Sequence, residues 1–166
     1  MRTLDKILED AAEHANGTFV ALNMSTQSKK QLGDFVKNTL KLSTYDDPST
    51  YHITIIASST PLPQANELRV NAVQAKADHY ELFNTRVGTK CLVLKVSSPG
   101  AITLNKLMIQ QGGVSAFPDY NPHITLCFDY KGDSIDQLSL PNFPLMFDEL
   151  VVKPNDTSYV PPSISK

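Results

Sequence analysis

The chain has 166 residues, 41% of them apolar and 19% charged, with a net charge of −2 and a pI near 6.0. At this length folding removes roughly 70% of the unfolded chain's surface from water, and no run approaches the ~20 consecutive apolar residues of a membrane span. A single soluble domain over 1–166 is expected, with no membrane association. The absence of a basic surplus argues against long nucleic acid as a partner and leaves room for a small anion met by a few local cations.

The opening Met1-Arg2-Thr3-Leu4-Asp5-Lys6 turns acidic at once and lacks the apolar stretch and small-residue cleavage site of a secretory signal, which implies a cytoplasmic protein. Leu4, Ile7, Leu8 and Ala11 recur at helical spacing behind Thr3, a short amphipathic helix that Gly17 ends. A buried strand follows over Thr18–Met24. Ser25-Thr26 then caps a helix whose Leu32, Phe35, Val36 and Leu40 make one apolar stripe. Tyr45-Asp46-Asp47-Pro48-Ser49 is turn chemistry, and the next strand runs from His52 through Ala57. After the Pro61-Leu62-Pro63 break, further strand is expected within Val70 to Phe83.

The second half repeats the order. Thr89–Val96 is a strand, Ser98-Pro99 is a cap with proline at the first helical position, and a helix carrying Leu104, Leu107 and Met108 ends at Gly112-Gly113. The turn Pro118-Asp119-Tyr120-Asn121-Pro122 leads into the strand His123–Phe128, and Leu145 to Val152 is the last strand. From the centre of each half's first strand to its histidine the interval is 32 residues in one half and 31 in the other, which suggests an internal duplication. The expected architecture is α+β: two pseudo-symmetric lobes, about 17–84 and 88–153, with antiparallel-rich sheets facing a central groove, helices outside and a mobile tail over 154–166.

Chemistry concentrates in two identical tripeptides, His52-Ile53-Thr54 and His123-Ile124-Thr125. Because strand side chains alternate, each histidine shares a face with its threonine, while Tyr51, Ile53 and Ile55, like Ile124, Leu126 and Phe128, turn the other way. With 4 histidines and 13 threonines in the chain, two His-x-Thr matches arise by chance about once in twenty-five. Their equivalent placement after proline-containing turns makes coincidence a poorer account.

Two imidazoles across a groove match what a phosphodiester requires, a base for the nucleophile and an acid for the departing oxygen, and each threonine hydroxyl can donate to a non-bridging phosphoryl oxygen. A bell-shaped pH profile follows. No HExxH, Cys/His cluster or His-x-His supplies a third metal ligand, so no metal and no cofactor is expected. Cys91 and Cys127 read as buried reduced thiols, His14 as a helix-end residue and His79 as part of a polar strand edge. Lys90 and Lys95 can meet phosphate or remain solvated.

Paired His-x-Thr motifs in a duplicated chain of this length resemble the two-histidine phosphoesterase superfamily, over roughly Thr18 to Val152. Within it, the stretches Tyr51-His52-Ile53-Thr54 and Asn121-Pro122-His123-Ile124-Thr125 resemble the phage anti-CBASS phosphodiesterases. The resemblance implies metal-independent cleavage of 3′–5′ bonds in cyclic di- and trinucleotide messengers, carried out in the host bacterial cytoplasm during infection. It implies catalytic roles for His52, Thr54, His123 and Thr125, a cyclic oligonucleotide as the partner, and no obligate protein partner. Nearby readings are an RNA 2′,3′-cyclic phosphate or 2′-5′ oligoadenylate phosphodiesterase; a messenger-binding sponge without catalysis is a reading of a different class. The resemblance also implies an acidic residue on the last strand. Asp148 and Glu149 are both available, alternation does not choose between them, and the resemblance favours Glu149. Phe19 and Tyr159 are candidates for stacking on a base.

Overall fold

The computed structural model describes residues 17–117, 119–155 and 163–165. The helix expected over 4–15, together with His14, Pro118 and Tyr159, lies outside the described residues.

The described elements are β1 (Thr18–Met24), α1 (Thr26–Asp34), β2 (Thr44–Asp46), β3 (His52–Ser58), β4 (Val73–Asn84), β5 (Lys90–Ser97), α2 (Pro99–Gln110), β6 (His123–Cys127), β7 (Leu145–Pro154) and β8 (Ser163–Ser165). The start signals act as their chemistry dictates. The Ser25 hydroxyl accepts the Ser28 N–H at the head of α1, and Ser98 accepts the Ala101 N–H at the head of α2, with Pro99 in the first turn where its missing N–H costs nothing. One continuous stripe to Leu40 was expected of the first helix, but α1 passes at Phe35–Thr39 into a π-helical turn, with Leu40 N–H reaching the Phe35 carbonyl at 3.0 Å. Leu32 and Val36 are still fully buried.

Six strands form one antiparallel sheet in the order β3-β1-β7-β4-β5-β6, and β2 pairs with β8 in a separate two-stranded sheet. The expected α+β class is the one observed. Among the described residues, the ladder between its two half-sheets, β3-β1-β7 and β4-β5-β6, is Val73–Ala75 against Leu145–Phe147. The halves are not the sequence segments 17–84 and 88–153. β7, from the end of the chain, sits beside β1, and β4, from the first half, sits beside β5. A linear reading of repeated strand–helix–strand units misses this exchange, because pairing follows register and crossover rather than chain order. Residues 163–165, expected in the mobile tail, supply β8 against Thr44–Asp46.

The sheet's helix-covered face carries the core. Val20, Leu22, Met24, Ile53, Leu92, Leu94, Ile124 and Phe147 pack there with Leu32 and Val36 of the first helical segment and Met108 of α2, all at most 1% exposed. With that face filled by apolar side chains, the polar residues that alternate with them must point to the other face. Although β3 and β6 stand at opposite ends of the strand order, they contact each other, and the Tyr120 hydroxyl donates to the Thr54 carbonyl at 2.8 Å. The sheet therefore bends until its two end strands, which carry the two tripeptides, face one another.

Candidate active site

Alternation holds across both tripeptides: Ile53 and Ile124 are fully buried, whereas His52, Thr54, His123 and Thr125 are half-buried. The strands then break the pattern at the same point. Thr54 pairs with Ala21 and Ile56 with Val20, so Ile55 bulges out of the ladder; Thr125 pairs with Val93 and Cys127 with Leu92, so Leu126 does the same. In each case the residue after the threonine is the extra one, and two consecutive apolar side chains are buried. A bulge bends its strand and raises its twist locally, and here it does so immediately after the polar pair in both halves.

Each imidazole is tied to its own backbone two residues back. His52 Nδ1 lies 2.7 Å from the Thr50 carbonyl oxygen, and His123 Nδ1 lies 2.9 Å from that of Asn121. A carbonyl only accepts, so Nδ1 carries a proton in both rings and Nε2 is left for proton exchange with a ligand. Burial is the main cause that lowers the pKa of both histidines below 6.5, opposed by the carbonyl bonds; Lys153 and Lys29 lower His52 further, while Lys95 and His52 lower His123 and Glu81 raises it. Because β3 and β6 are in contact, the two histidines stand on facing strands, and His52 is among the charges that lower His123.

Around these rings the halves repeat one arrangement. The Phe19 ring meets His52 edge-on with centroids 6.0 Å apart, and the Lys153 ammonium lies over Phe19 at 5.2 Å. Phe83 meets His123 edge-on at 5.5 Å, and the Lys95 ammonium lies over Phe83 at 5.6 Å. The cross-strand partner of His52 is Asn23, whose side-chain amide donates to Glu149 Oε1 at 3.0 Å. A third irregularity sets which of the two carboxylates left open by the sequence shares the histidine face. Asn23 pairs with Glu149 but Met24 pairs with Phe147, so Asp148 is the extra residue. Phe147 therefore faces the core while Glu149 faces the histidines. Thr125 is hydrogen-bonded to the Cys91 thiol, which burial pushes up to about 11.

A family model described as Anti-CBASS protein Acb1 matches residues 16–160. The chain belongs to that family. It is 29% identical over 159 residues to the Anti-CBASS protein Acb1 of Vibrio phage KVP40, covering 95% of this chain and 96% of the relative. Among solved structures, E. coli LigT complexed with NADP+ aligns over 81% of this chain and 85% of its own, with a TM-score of 0.55 and 18% identity. E. coli LigT complexed with phosphate aligns with a TM-score of 0.55 at 16% identity, over 81% of this chain and 84% of its own. The fold of this Acb1-family chain is thus that of the two-histidine phosphoesterases.

Of the residues singled out by sequence, His52, Thr54, His123, Thr125, Glu149, Phe19 and Lys95 fall on the histidine face; Lys90 stands at the far end of β5, opposite Asn84. Sequence reasoning missed Phe83, Lys153, Asn23 and Tyr120. The first three are strand residues whose partners are known only once β4, β7 and β1 have been placed, and no local signal reports that placement. Tyr120 sat in plain view within the turn before His123, but its role depends on a carbonyl 66 residues away. Among the described residues no group of three or more His, Cys, Asp or Glu side chains is placed to hold a metal ion, and no helix is long and apolar enough to cross a membrane.

Proposed function

We propose that this Acb1-family chain is a metal-independent phosphodiesterase that cuts 3′–5′ bonds of cyclic di- and trinucleotide messengers in the host cytoplasm, and so counters CBASS defence. The observation that carries the reading is the pair of equivalent imidazoles, each with Nδ1 fixed on a backbone carbonyl and Nε2 left for chemistry. A binding sponge has no use for two such groups.

The reaction follows from these positions. One neutral imidazole takes the proton of the ribose 2′-OH beside the scissile phosphate, and O2′ attacks phosphorus. The other imidazole, protonated, gives its proton to the departing O5′, which leaves a 2′,3′-cyclic phosphate. With the roles reversed, water opens that ring to a 3′-phosphate. Thr54 and Thr125 donate to the non-bridging oxygens as charge builds on them. Lowered histidine pKa values keep the base neutral at the working pH, and the incoming phosphate anion favours the protonated form of the acid.

The test is to incubate the protein, with and without chelator, against cyclic di- and trinucleotides, RNA with 2′,3′-cyclic phosphate ends and 2′-5′ oligoadenylate, and to separate the products chromatographically. Linear 3′-phosphate products from the cyclic oligonucleotides, at the same rate with chelator, are expected. Stoichiometric depletion without product would establish a sponge, and full loss on chelation with rescue by a divalent ion would overturn the two-histidine mechanism.

A further inference from the structure

The two half-sheets agree rung by rung, which exposes the place where they differ. His52 lies beside Asn23 and Asn23 beside Glu149; in the other half His123 lies beside Lys95 and Lys95 beside His79. Even the irregularities match, since Asp78 is the extra residue before His79 as Asp148 is before Glu149. The next rung holds the threonines. Thr54 lies beside Ala21 and Ala21 beside Val151, while Thr125 lies beside Val93 and Val93 beside Glu81. At this corresponding position one half carries an apolar side chain and the other a carboxylate.

Glu81 stands where it can act on His123. His79, Glu81 and Phe83 alternate along β4 on the face opposite the buried Tyr80, and the Phe83 ring meets the His123 ring edge-on at 5.5 Å. His79 Nε2 donates to Glu81 Oε1 at 2.8 Å, and His79 Nδ1 donates to the Asp78 carboxylate. Both ring nitrogens thus serve carboxylates, so His79 is held as an imidazolium, by the Glu81 bond first and the Asp78 bond second. One cation between two carboxylates leaves a net negative charge beside Lys95 and His123.

The two catalytic rings therefore meet different fields. Burial opposes a proton on His123 and the Asn121 carbonyl favours it; of the charged groups, Lys95 on β5 and His52 on β3 oppose it and Glu81 on β4 favours it. Burial likewise opposes a proton on His52 and the Thr50 carbonyl favours it, but both charged groups that act there, Lys153 on β7 and Lys29 on α1, oppose it. Glu149, on the His52 rung, already accepts the Asn23 amide.

Resting on the proposed function, we infer that Glu81 is the positioning residue that makes the pair unequal, holding the working proton on His123, so that His123 is the acid and His52 the base. In the first step the O2′ proton passes to His52 Nε2 as the O2′–P bond forms. The P–O5′ bond breaks, and O5′ takes the proton from His123 Nε2. The cyclic oligonucleotide then has one productive direction in the groove, with the attacking ribose at β3 and the leaving ribose at β6.

The experiment uses a cyclic dinucleotide and its analogue with sulfur in place of the bridging O5′ at the scissile linkage. A thiol is far more acidic than an alcohol, so the sulfur leaves as thiolate without a proton from the enzyme. His123→Ala and His52→Ala should each lose at least about 10²-fold on the oxygen linkage. On the sulfur linkage His123→Ala should come within about tenfold of wild type, while His52→Ala keeps its full loss. The isosteric Glu81→Gln should move the descending limb of the pH profile of kcat/KM to lower pH by about half a unit, about a threefold loss above the limb, with the ascending limb in place. Rescue of His52→Ala instead of His123→Ala, or a Glu81→Gln profile that shifts in its ascending limb or in neither, would overturn the inference and leave the proposed function standing. A wild type that leaves both cyclic dinucleotides uncut would instead overturn the proposed function, and the inference with it.

Discussion

At His52 and His123 the tether and the burial work against each other. A carbonyl on Nδ1 favours the imidazolium, while a half-buried site with lysines beside it favours the neutral ring, and burial is the larger cause at both. Each histidine thus releases its proton more readily in the folded chain than in the unfolded one, where the ordinary value is about 6.5. Below that pH the unfolded chain binds more protons. Stability is therefore complete above about pH 6.5 and is lost as pH falls through the lowered folded values. The isosteric double variant His52→Asn, His123→Asn removes both titrations, so its Tm should fall less than that of wild type between pH 7 and pH 5. Either single substitution should lower turnover at least about 10²-fold, the usual loss of a general acid or base. Differential scanning fluorimetry across pH and product chromatography measure the two effects; an unchanged pH dependence of Tm in the double variant, or retained turnover in both singles, would refute the roles assigned to the rings.

Among the described residues the two histidine strands, β3 and β6, share no ladder with each other, so something else must set their separation. Tyr120 does this directly, since it precedes His123 in its turn and donates its hydroxyl to the backbone of Thr54. The β2 strand assists from behind: Thr44 Oγ1 donates to the Asp129 carbonyl at 2.8 Å, and the buried Asp46 carboxylate accepts the Phe128 N–H at 2.9 Å. Tyr120→Phe keeps the ring and removes one buried hydrogen bond worth about 1 kcal/mol, a Tm decrease of about 2–4 °C for a chain of this size. Turnover should fall by about threefold to tenfold with little change in KM, because misplacement of one imidazole affects the transition state more than binding. Wild-type kcat with the lowered Tm would reduce Tyr120 to a structural contact. The tripeptides themselves were legible, since period-two alternation and a repeated motif are local signals. The bulges were visible only as anomalies: Ile55-Ile56 and Leu126-Cys127 are apolar doublets that a regular strand with one polar face does not contain. Alternation failed at Asp148-Glu149 for the same reason, as the register shift sits at the very residues it was asked to distinguish.

Over the whole molecule, the α+β class and most strands were readable, while the strand order was not. Strand order here is set by long-range pairings, Thr18 with Pro154 and Asn23 with Glu149 among them, and nothing in a local window encodes them. The order also grades stability. β1, β7, β4 and β5 have a partner on both sides, whereas β3 and β6 end the sheet, so amide exchange should be slowest in the former four and faster along the outward edges of β3 and β6. Uniform protection across all six strands, measured by exchange and mass spectrometry, would mean that the end strands are held more firmly than their few mutual bonds indicate. β7 has one more consequence. It is the strand by which the half-sheets join, and it carries Glu149 and Lys153, yet all the other strands of the large sheet precede it in the chain. During synthesis the two histidine strands emerge without the piece that brings their halves together, so the ribosome must deliver Leu145–Pro154 before the β3-β1-β7 half-sheet and its junction with β4 can form. The histidine face therefore takes its full set of side chains only once the last strand of the large sheet has been made.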